Sequence, residues 1–353
     1  MPAVHQGKIL VSGGSGFVGS HVCHALLIAG FHVRTTVRST AKGDYLVRKL
    51  NEVSGGGGKF EYVIVEDIEA PDAFDEAVKG VDGIMHTASP FHFNAEDPDE
   101  LIKPAVEGTV NILRSAHKHN KSVQRVVITS SVASVMMPRD TPTVYNEEWW
   151  NEHSPAQVNE KGREASRLDF YMASKTLAER ASWDFIDKEK PSFDLATIAP
   201  PLILGPCIHD IPSEDKLNTS ISRFYQLFSG ELKDANGDKL IEPMSNVVDV
   251  RDVANTHVLA MTVPRAGGER FISASDRAMV TNQDFVDSLH ERLGDNETVK
   301  KNVPVGEKGK GKSIHRHRFA NDKAKTVLAQ TFFSQEQTAV DTFLSLEEYA
   351  KQW

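Results

Sequence analysis

Six short apolar runs, most of them separated by stretches of helical periodicity, constrain this chain more than any other feature. The runs are Lys8–Ser12, His32–Val37, Phe60–Glu66, Gly83–Thr87, Arg125–Thr129 and Asp194–Ile198. Strands that alternate with helices are joined by right-handed crossovers, and the sheet they build is parallel and covered on both faces. The predicted class is therefore α/β, a doubly wound parallel sheet. Phe17–Ile28 follows the first run as a helix. Asp99–His119 carries Leu101, Ile102, Ala105, Val106, Ile112, Leu113 and Ala116 at helical spacing and should pack on the sheet. Asp169–Lys188 reads as another long helix.

After Ala199 the rhythm breaks at Pro200, Pro201, Gly205, Pro206 and Pro212, which interrupt helices and central strands. A smaller C-terminal unit is expected there, with helices at Thr219–Phe228, Asp249–Met261, Asn282–Leu293 and Leu344–Gln352. The expected division is residues 1–200, completed by parts of 240–275, against 201–353 for most of the smaller unit. Gly55 to Gly58 read as a flexible turn before the third strand, because no helix opens directly after them.

Composition excludes several classes. Of the 353 residues, 40% are hydrophobic and 25% charged, which is ordinary for a soluble globular chain. No apolar stretch approaches the roughly 18 residues of a membrane span. Met1 to Ile9 lacks the succession of a secretory leader, which predicts a cytoplasmic protein without a membrane partner. Cys23 and Cys207 are far apart and suggest neither a disulfide framework nor a metal site. A formal charge of −9 argues against nucleic acid. The basic stretch 308–325 is the exception and reads as a solvated loop. These features leave the oligomeric state open.

The turn after the first strand is Gly13-x-x-Gly16-x-x-Gly19, with Phe17 and Val18 opening the helix. That spacing lets the backbone turn sharply, admits a pyrophosphate without Cβ interference and aims helix N-terminal amides at the anion. A strand before and a helix after turn a weak glycine pattern into a dinucleotide site. The end of the second strand discriminates between cofactors. It carries Arg38, followed by Lys42, where an NAD-binding fold offers a carboxylate. Arg38 suits a 2′-phosphate through charge-assisted hydrogen bonds, and Lys42 adds a point charge or is simply a surface lysine. Asp67 and Ile68 follow the third strand and are candidates for the adenine. Thr87, Ala88 and Ser89 end the fourth, where small residues let backbone approach the cofactor. His86 reads as packing within the sheet.

Tyr171 and Lys175 lie one helical turn apart, so a phenol and an ammonium share a face. Such a cation, reinforced by an oxidised nicotinamide, favours phenolate and is expected to lower the tyrosine pKa, so that the tyrosine can act as general acid toward a carbonyl oxygen or as base in reverse. The same spacing recurs at Tyr45 and Lys49, and position decides between them. Tyr171 follows the fifth strand, whose end carries Ser130 and Ser131. Ser131, with Ser130 as alternate, is the expected hydroxyl for the substrate carbonyl. Asn111 is a candidate for a water relay. Phe91, Phe93, Met136, Tyr145, Trp149 and Trp150 are candidates for an apolar pocket, although aromatic side chains more often pack a core.

In the same order, the glycine turn, His86-Thr-Ala-Ser-Pro90, Thr129-Ser-Ser131, Tyr171-x-x-x-Lys175 and Val248-Asp-Val-Arg-Asp-Val-Ala254 resemble the extended short-chain dehydrogenases/reductases. The likeness is to their dihydroflavonol-reductase-like branch, and within it to fungal NADPH-dependent ketone and aldehyde reductases. It spans almost the whole chain, including Asn302-Val-Pro-Val-Gly306. It implies a Rossmann domain, NADPH/NADP as cofactor, Ser131, Tyr171 and Lys175 as the catalytic set, and Arg38 and Lys42 at the 2′-phosphate. It also implies Pro200 and Ile203 beside the nicotinamide, with Pro201 removing a backbone donor from that loop. The implied substrate is a small-molecule carbonyl compound: aldehydes, diketones and keto esters rather than flavonoids. The alternatives are an NAD-linked sugar-nucleotide epimerase or dehydratase, disfavoured by Arg38, and a non-catalytic NADP-binding regulatory protein.

Overall fold

The computed structural model describes residues 3–53, 59–89, 95–233, 237–242, 244–277, 279–313 and 317–353. The Gly55–Gly58 turn, Pro90, Phe91, Phe93 and part of the basic stretch, His315 and Arg316, lie outside the described residues. The strands are β1 (Lys8–Ser12), β2 (His32–Val37), β3 (Phe60–Ile64), β4 (Gly83–His86), β5 (Arg125–Thr129), β6 (Val144–Tyr145), β7 (Asp194–Ala199), β8 (Leu202–Leu204), β9 (Val247–Asp249), β10 (Glu269–Ile272) and β11 (Arg318–Phe319). The helices are α1 (Phe17–Ile28), α2 (Thr40–Val53), α3 (Asp99–His119), α4 (His153–Lys161), α5 (Arg167–Glu189), α6 (Thr219–Tyr225), α7 (Gly237–Ile241), α8 (Val250–Thr262), α9 (Asn282–Leu293), α10 (Glu297–Asn302), α11 (Asp322–Leu328) and α12 (Gln335–Ala350).

Seven strands form one parallel sheet in the order β10-β7-β5-β4-β1-β2-β3. Its central strands are apolar on both faces because both are covered. Ile9 and Val11 join a core with Val22, Leu26 and Met261 from α1 and α8, whereas Leu10 between them joins Ile112, Leu113 and Ala116 from α3. The chain reverses its direction of winding between β1 and β4. A crevice therefore opens outside the carboxyl ends of those two strands, where ligands bind in such sheets.

The later chain returns to this sheet through α8 and β10, and a fully buried Arg125 ties the pieces together. Its guanidinium grips Asp194 at 2.6 and 2.9 Å and also donates to the carbonyls of Ala260, Val263 and Pro264 at the end of α8. A second core gathers Leu204, Phe224, Phe228, Val286, Leu289, Phe343 and Leu346 from the chain beyond Ala199. Two short parallel pairs, β6 with β11 and β8 with β9, stitch distant segments together.

The C-terminal helix corrects the sequence expectation, because it begins at Gln335 rather than Leu344. Its first half looks polar but is buried, each polar side chain having a partner. Gln335 donates to Ser275, Thr338 to Asp249, and Thr342 accepts from the amide of Gly205. Among the described residues no helix is long and apolar enough to cross a membrane, and no cluster of ligating side chains suits a metal ion.

Candidate active site

The glycine turn stands at the mouth of the crevice, and its glycines serve different ends. Gly13 adopts φ +71°, and a Cβ there would lie 3.0 Å from Ala88. A Cβ on Gly19 would lie 2.3 Å from the carbonyl oxygen of Gly13. Gly16 differs. Its backbone, φ −85° and ψ 171°, suits any residue, and a Cβ would meet nothing closer than 3.4 Å. It is exposed and caps α1 without a side-chain hydrogen bond, so no capping side chain covers the first-turn amides. That arrangement fits a pyrophosphate. Phe17 is buried in the second core beside Leu204, Cys207 and Ile211, and Val18 is half-buried against the first.

Arg38 is exposed past the end of β2, with no hydrogen bond or ion pair among the described residues. Lys42, on α2, is ion-paired with Asp210 at 2.9 Å. Arg34 is spent on Glu61 and on the carbonyls of Ala77 and Lys79. Asp67 is exposed and accepts from the amide of Glu69, while Ile68 packs against Gly108. Asn111 holds this loop: its amide nitrogen faces the carbonyls of Ile68, Glu69 and Ala70, and its oxygen accepts from Arg114. The relay suggested for Asn111 therefore finds no support, because both ends of the amide are engaged.

At the end of β4, Thr87 donates its hydroxyl to the Ser12 carbonyl, and the amides of Thr87 and Ala88 donate to Ser12 Oγ. Ser12 keeps its own proton for His86 Nδ1, 2.8 Å away. Burial pulls His86 down to about 3, and the Lys175 ammonium adds to this, so the ring is neutral. Ser89 accepts from Lys175 Nζ at 2.7 Å.

Tyr171 opens the second turn of α5, whose start is capped by Ser166 Oγ accepting from Asp169. Its hydroxyl lies 3.4 Å from Ser131 Oγ, and Lys175 Nζ lies 6.0 Å from its ring centre. Ser131 ends the strand-to-turn transition, its Oγ accepting from the amide of Ala133 and reaching the Pro200 carbonyl at 3.5 Å. Ser130 faces away and donates to Glu179 at 2.6 Å. Of the two serines, only Ser131 faces the tyrosine. Ile203 is half-buried on β8, four residues beyond the end of β7.

Loss of water pushes Tyr171 above its usual value, an effect that the Ser131 hydrogen bond only partly offsets. Lys175 falls to about 8 for the same reason. Lys175 alone therefore does not produce the expected lowering of Tyr171: within the polypeptide, desolvation of the phenolate outweighs a lysine whose ammonium is engaged by Ser89, which leaves the lowering to the oxidised nicotinamide.

Sequence reasoning missed Glu179, a buried carboxylate one turn beyond Lys175, together with its partner Arg270. Phe91 and Phe93 aside, the described pocket candidates pack against the protein itself. Tyr145 is fully buried and donates to the Met137 carbonyl, Trp149 stacks edge-on against it, and Trp150 lies under Arg270 at 3.7 Å. Met136 packs on the same cluster.

Known proteins resemble this chain along its length. The family model described as NAD dependent epimerase/dehydratase matches residues 9–272. Ketoreductase azaE of Aspergillus niger is 36% identical, covering 97% of this chain and 98% of that protein. The NADPH-dependent methylglyoxal reductase GRE2 of Saccharomyces cerevisiae is 34% identical, covering 95% and 96%. The solved structure of yeast methylglyoxal/isovaleraldehyde reductase Gre2 complexed with NADPH superimposes with a TM-score of 0.84, at 31% identity and over 98% and 100% of the two chains.

Proposed function

We propose that this chain, which belongs to the NAD dependent epimerase/dehydratase family and is an NADPH-dependent carbonyl reductase, protonates its aldehyde or ketone substrate from Tyr171 to yield an alcohol. The observation that carries the assignment is the convergence of Ser131 and Tyr171 at 3.4 Å, with Lys175 on the same helical face. NADPH, when bound, supplies the hydride. The residues that would hold it are Gly13, Gly16, Phe17, Val18 and Gly19 at the pyrophosphate, Arg38 with Lys42 at the 2′-phosphate, and Asp67 and Ile68 at the adenine. Thr87, Ala88, Ser89, Pro200, Ile203, Tyr171 and Lys175 would flank the nicotinamide half.

Ser131 Oγ accepts from the Ala133 amide, and its own proton, held by the Pro200 carbonyl only at 3.5 Å, can turn to the substrate oxygen and orient it toward Tyr171. The raised pKa of Tyr171 keeps the phenol protonated at neutral pH, the state a general acid needs in the reductive direction. Lys175 places a positive charge near the phenolate left after transfer.

The same proposal divides the chain into a cofactor-binding part, residues 1–200 completed by parts of 240–275, and a mainly substrate-binding part, 201–353. The return of α8 and β10 to the main sheet supports that division. It also places the protein in the cytoplasm, without nucleic-acid or membrane partners. Buried, unpaired Cys23 and Cys207 support that location, and cell fractionation checks it.

The decisive experiment follows NADPH absorbance across small aldehydes, diketones, keto esters and flavanonols, with wild type and Tyr171→Phe. Turnover on the small carbonyl compounds, lost in the variant while NADPH still binds, is expected. An active Tyr171→Phe overturns the acid assignment. Tight NADPH binding without turnover of any carbonyl would point instead to a regulatory protein.

A further inference from the structure

Two turns beyond Tyr171, Glu179 occupies a site where a charge is expensive, and no step of the reaction uses it. Its side chain is 1% exposed. Oε1 accepts from Arg270 Nε at 2.7 Å and Thr197 Oγ1 at 2.8 Å, and Oε2 from Ser130 Oγ at 2.6 Å and Ser134 Oγ at 2.5 Å. Burial works against ionisation here, but Arg270 and the hydroxyls overcome it and hold the carboxyl below its usual range. A buried ion pair adds little to stability compared with well-packed apolar side chains, so stability alone does not account for this one.

Its placement does. Ser130 flanks Ser131 directly, and Ser134 closes the turn that follows, its amide donating to the Ser131 carbonyl at 3.0 Å. The contacts continue round a closed ring. The Ser134 carbonyl accepts from the Asn151 amide at 2.8 Å, and Asn151 Nδ2 donates to the Ala133 carbonyl at 3.0 Å. Arg270 donates to the carbonyls of Glu147 and Trp149, and its guanidinium lies 3.7 Å over Trp150, next to Asn151. From Arg270 the ring returns to Glu179. It joins the turn bearing Ser131 to the helix bearing Tyr171 and Lys175.

We propose that Glu179 is a positioning residue that clamps the Ser131 turn onto α5, setting the separation of Ser131 Oγ from Tyr171 Oη so that both reach one carbonyl oxygen. The proposal rests on the reading of Ser131 and Tyr171 given above. Hydroxyl-to-carboxylate bonds on both sides of Ser131 fix direction as well as distance, which apolar packing cannot do.

Glu179→Gln keeps the shape but replaces one acceptor oxygen with an amide group that cannot accept. The expected result is a fall in kcat on the order of a hundredfold, the scale of a reacting group misplaced by about 1 Å. NADPH affinity by fluorescence titration should be unchanged, and a crystal structure of the variant should show the Ser131–Tyr171 separation widened. Because Glu179 acts through Ser131, adding Glu179→Gln to Ser131→Ala should cost nothing further. Wild-type kcat in Glu179→Gln, a double variant whose loss is the product of the two single losses, or a parallel loss of NADPH affinity would each overturn the proposal. If Glu179→Gln fails to fold, Ser134→Ala removes one contact of the ring and is read in the same cycle against the same outcomes. Retained turnover in Ser131→Ala and Tyr171→Phe would sink the underlying catalytic reading. Loss in those two with none in the ring variants sinks the clamp alone.

Discussion

Arg38 and Lys42 stand four residues apart, yet their surroundings give them unequal weight. Arg38 is exposed without a partner among the described residues, whereas Lys42 already has Asp210 at 2.9 Å and must share its charge. Arg38→Ala should therefore weaken NADPH binding by about ten- to a hundredfold, the value of one or two charge-assisted hydrogen bonds, and leave NADH nearly untouched. Lys42→Ala should cost less. Fluorescence titration with both nucleotides checks this, and equal losses of NADPH and NADH in Arg38→Ala would contradict it. Residues whose neighbours are local were legible in the sequence: Tyr171 with Lys175, and the glycine turn. Ser131 against Ser130 was a choice that sequence left open, because the answer depends on Glu179, almost fifty residues away. Glu179 itself was invisible, since a charge on a long helix reads as a solvated face. Its acceptor role needs Thr197 and Arg270, which only the sheet brings to it.

At the scale of elements, what was legible is what is buried on both faces. β1, β2 and β5 begin and end where their apolar runs do, and so do α1, α3 and α9, whose periodicity is unbroken. The pairs β6–β11 and β8–β9 left no such trace, because two or three residues carry no period and their partners lie far along the chain. The link between the first strand and first helix yields a prediction that separates fold from ligand. Gly16→Ala collides with nothing and keeps an ordinary backbone, so stability should change by no more than about 0.5 kcal/mol. Cofactor affinity should nevertheless fall, because a pyrophosphate held at this turn would meet the new methyl group. Gly19→Ala drives a Cβ into the Gly13 carbonyl and should cost about 1–3 kcal/mol of stability. Thermal melts paired with NADPH titrations distinguish the two, and a Gly16→Ala protein with native affinity would remove the pyrophosphate from this turn.

At the scale of the whole molecule, four histidines are buried among the described residues, each where separate pieces meet. His21 on α1 faces the Pro206 carbonyl at 2.8 Å, and His257 on α8 faces Thr129 of β5 at 2.7 Å. His86 bonds Ser12 across β4 and β1, and His209 packs its ring 5.4 Å from Phe17, the residue that carries α1 into the second core. Burial drives all four down, His21 and His257 to about 4 and His86 and His209 to about 3. An unfolded histidine titrates near 6.5, so below that pH the unfolded chain binds more protons than the native one, and stability falls as the pH falls. Their contribution is complete above about 6.5 and is lost toward the folded values, at up to about 1.4 kcal/mol per histidine per pH unit. Asp252 acts in the opposite sense. Burial raises it to about 7, so its protonation in the native protein favours the fold as the pH drops below 7. Burial raises Glu147 in the same sense, and the four histidines outnumber these two carboxyls. The midpoint of thermal unfolding should therefore fall steeply between pH 7 and pH 5. A midpoint that stays level across that interval would mean that these joints open and take up protons without unfolding, so that the two cores are coupled more loosely than the passage of α1 from one to the other implies.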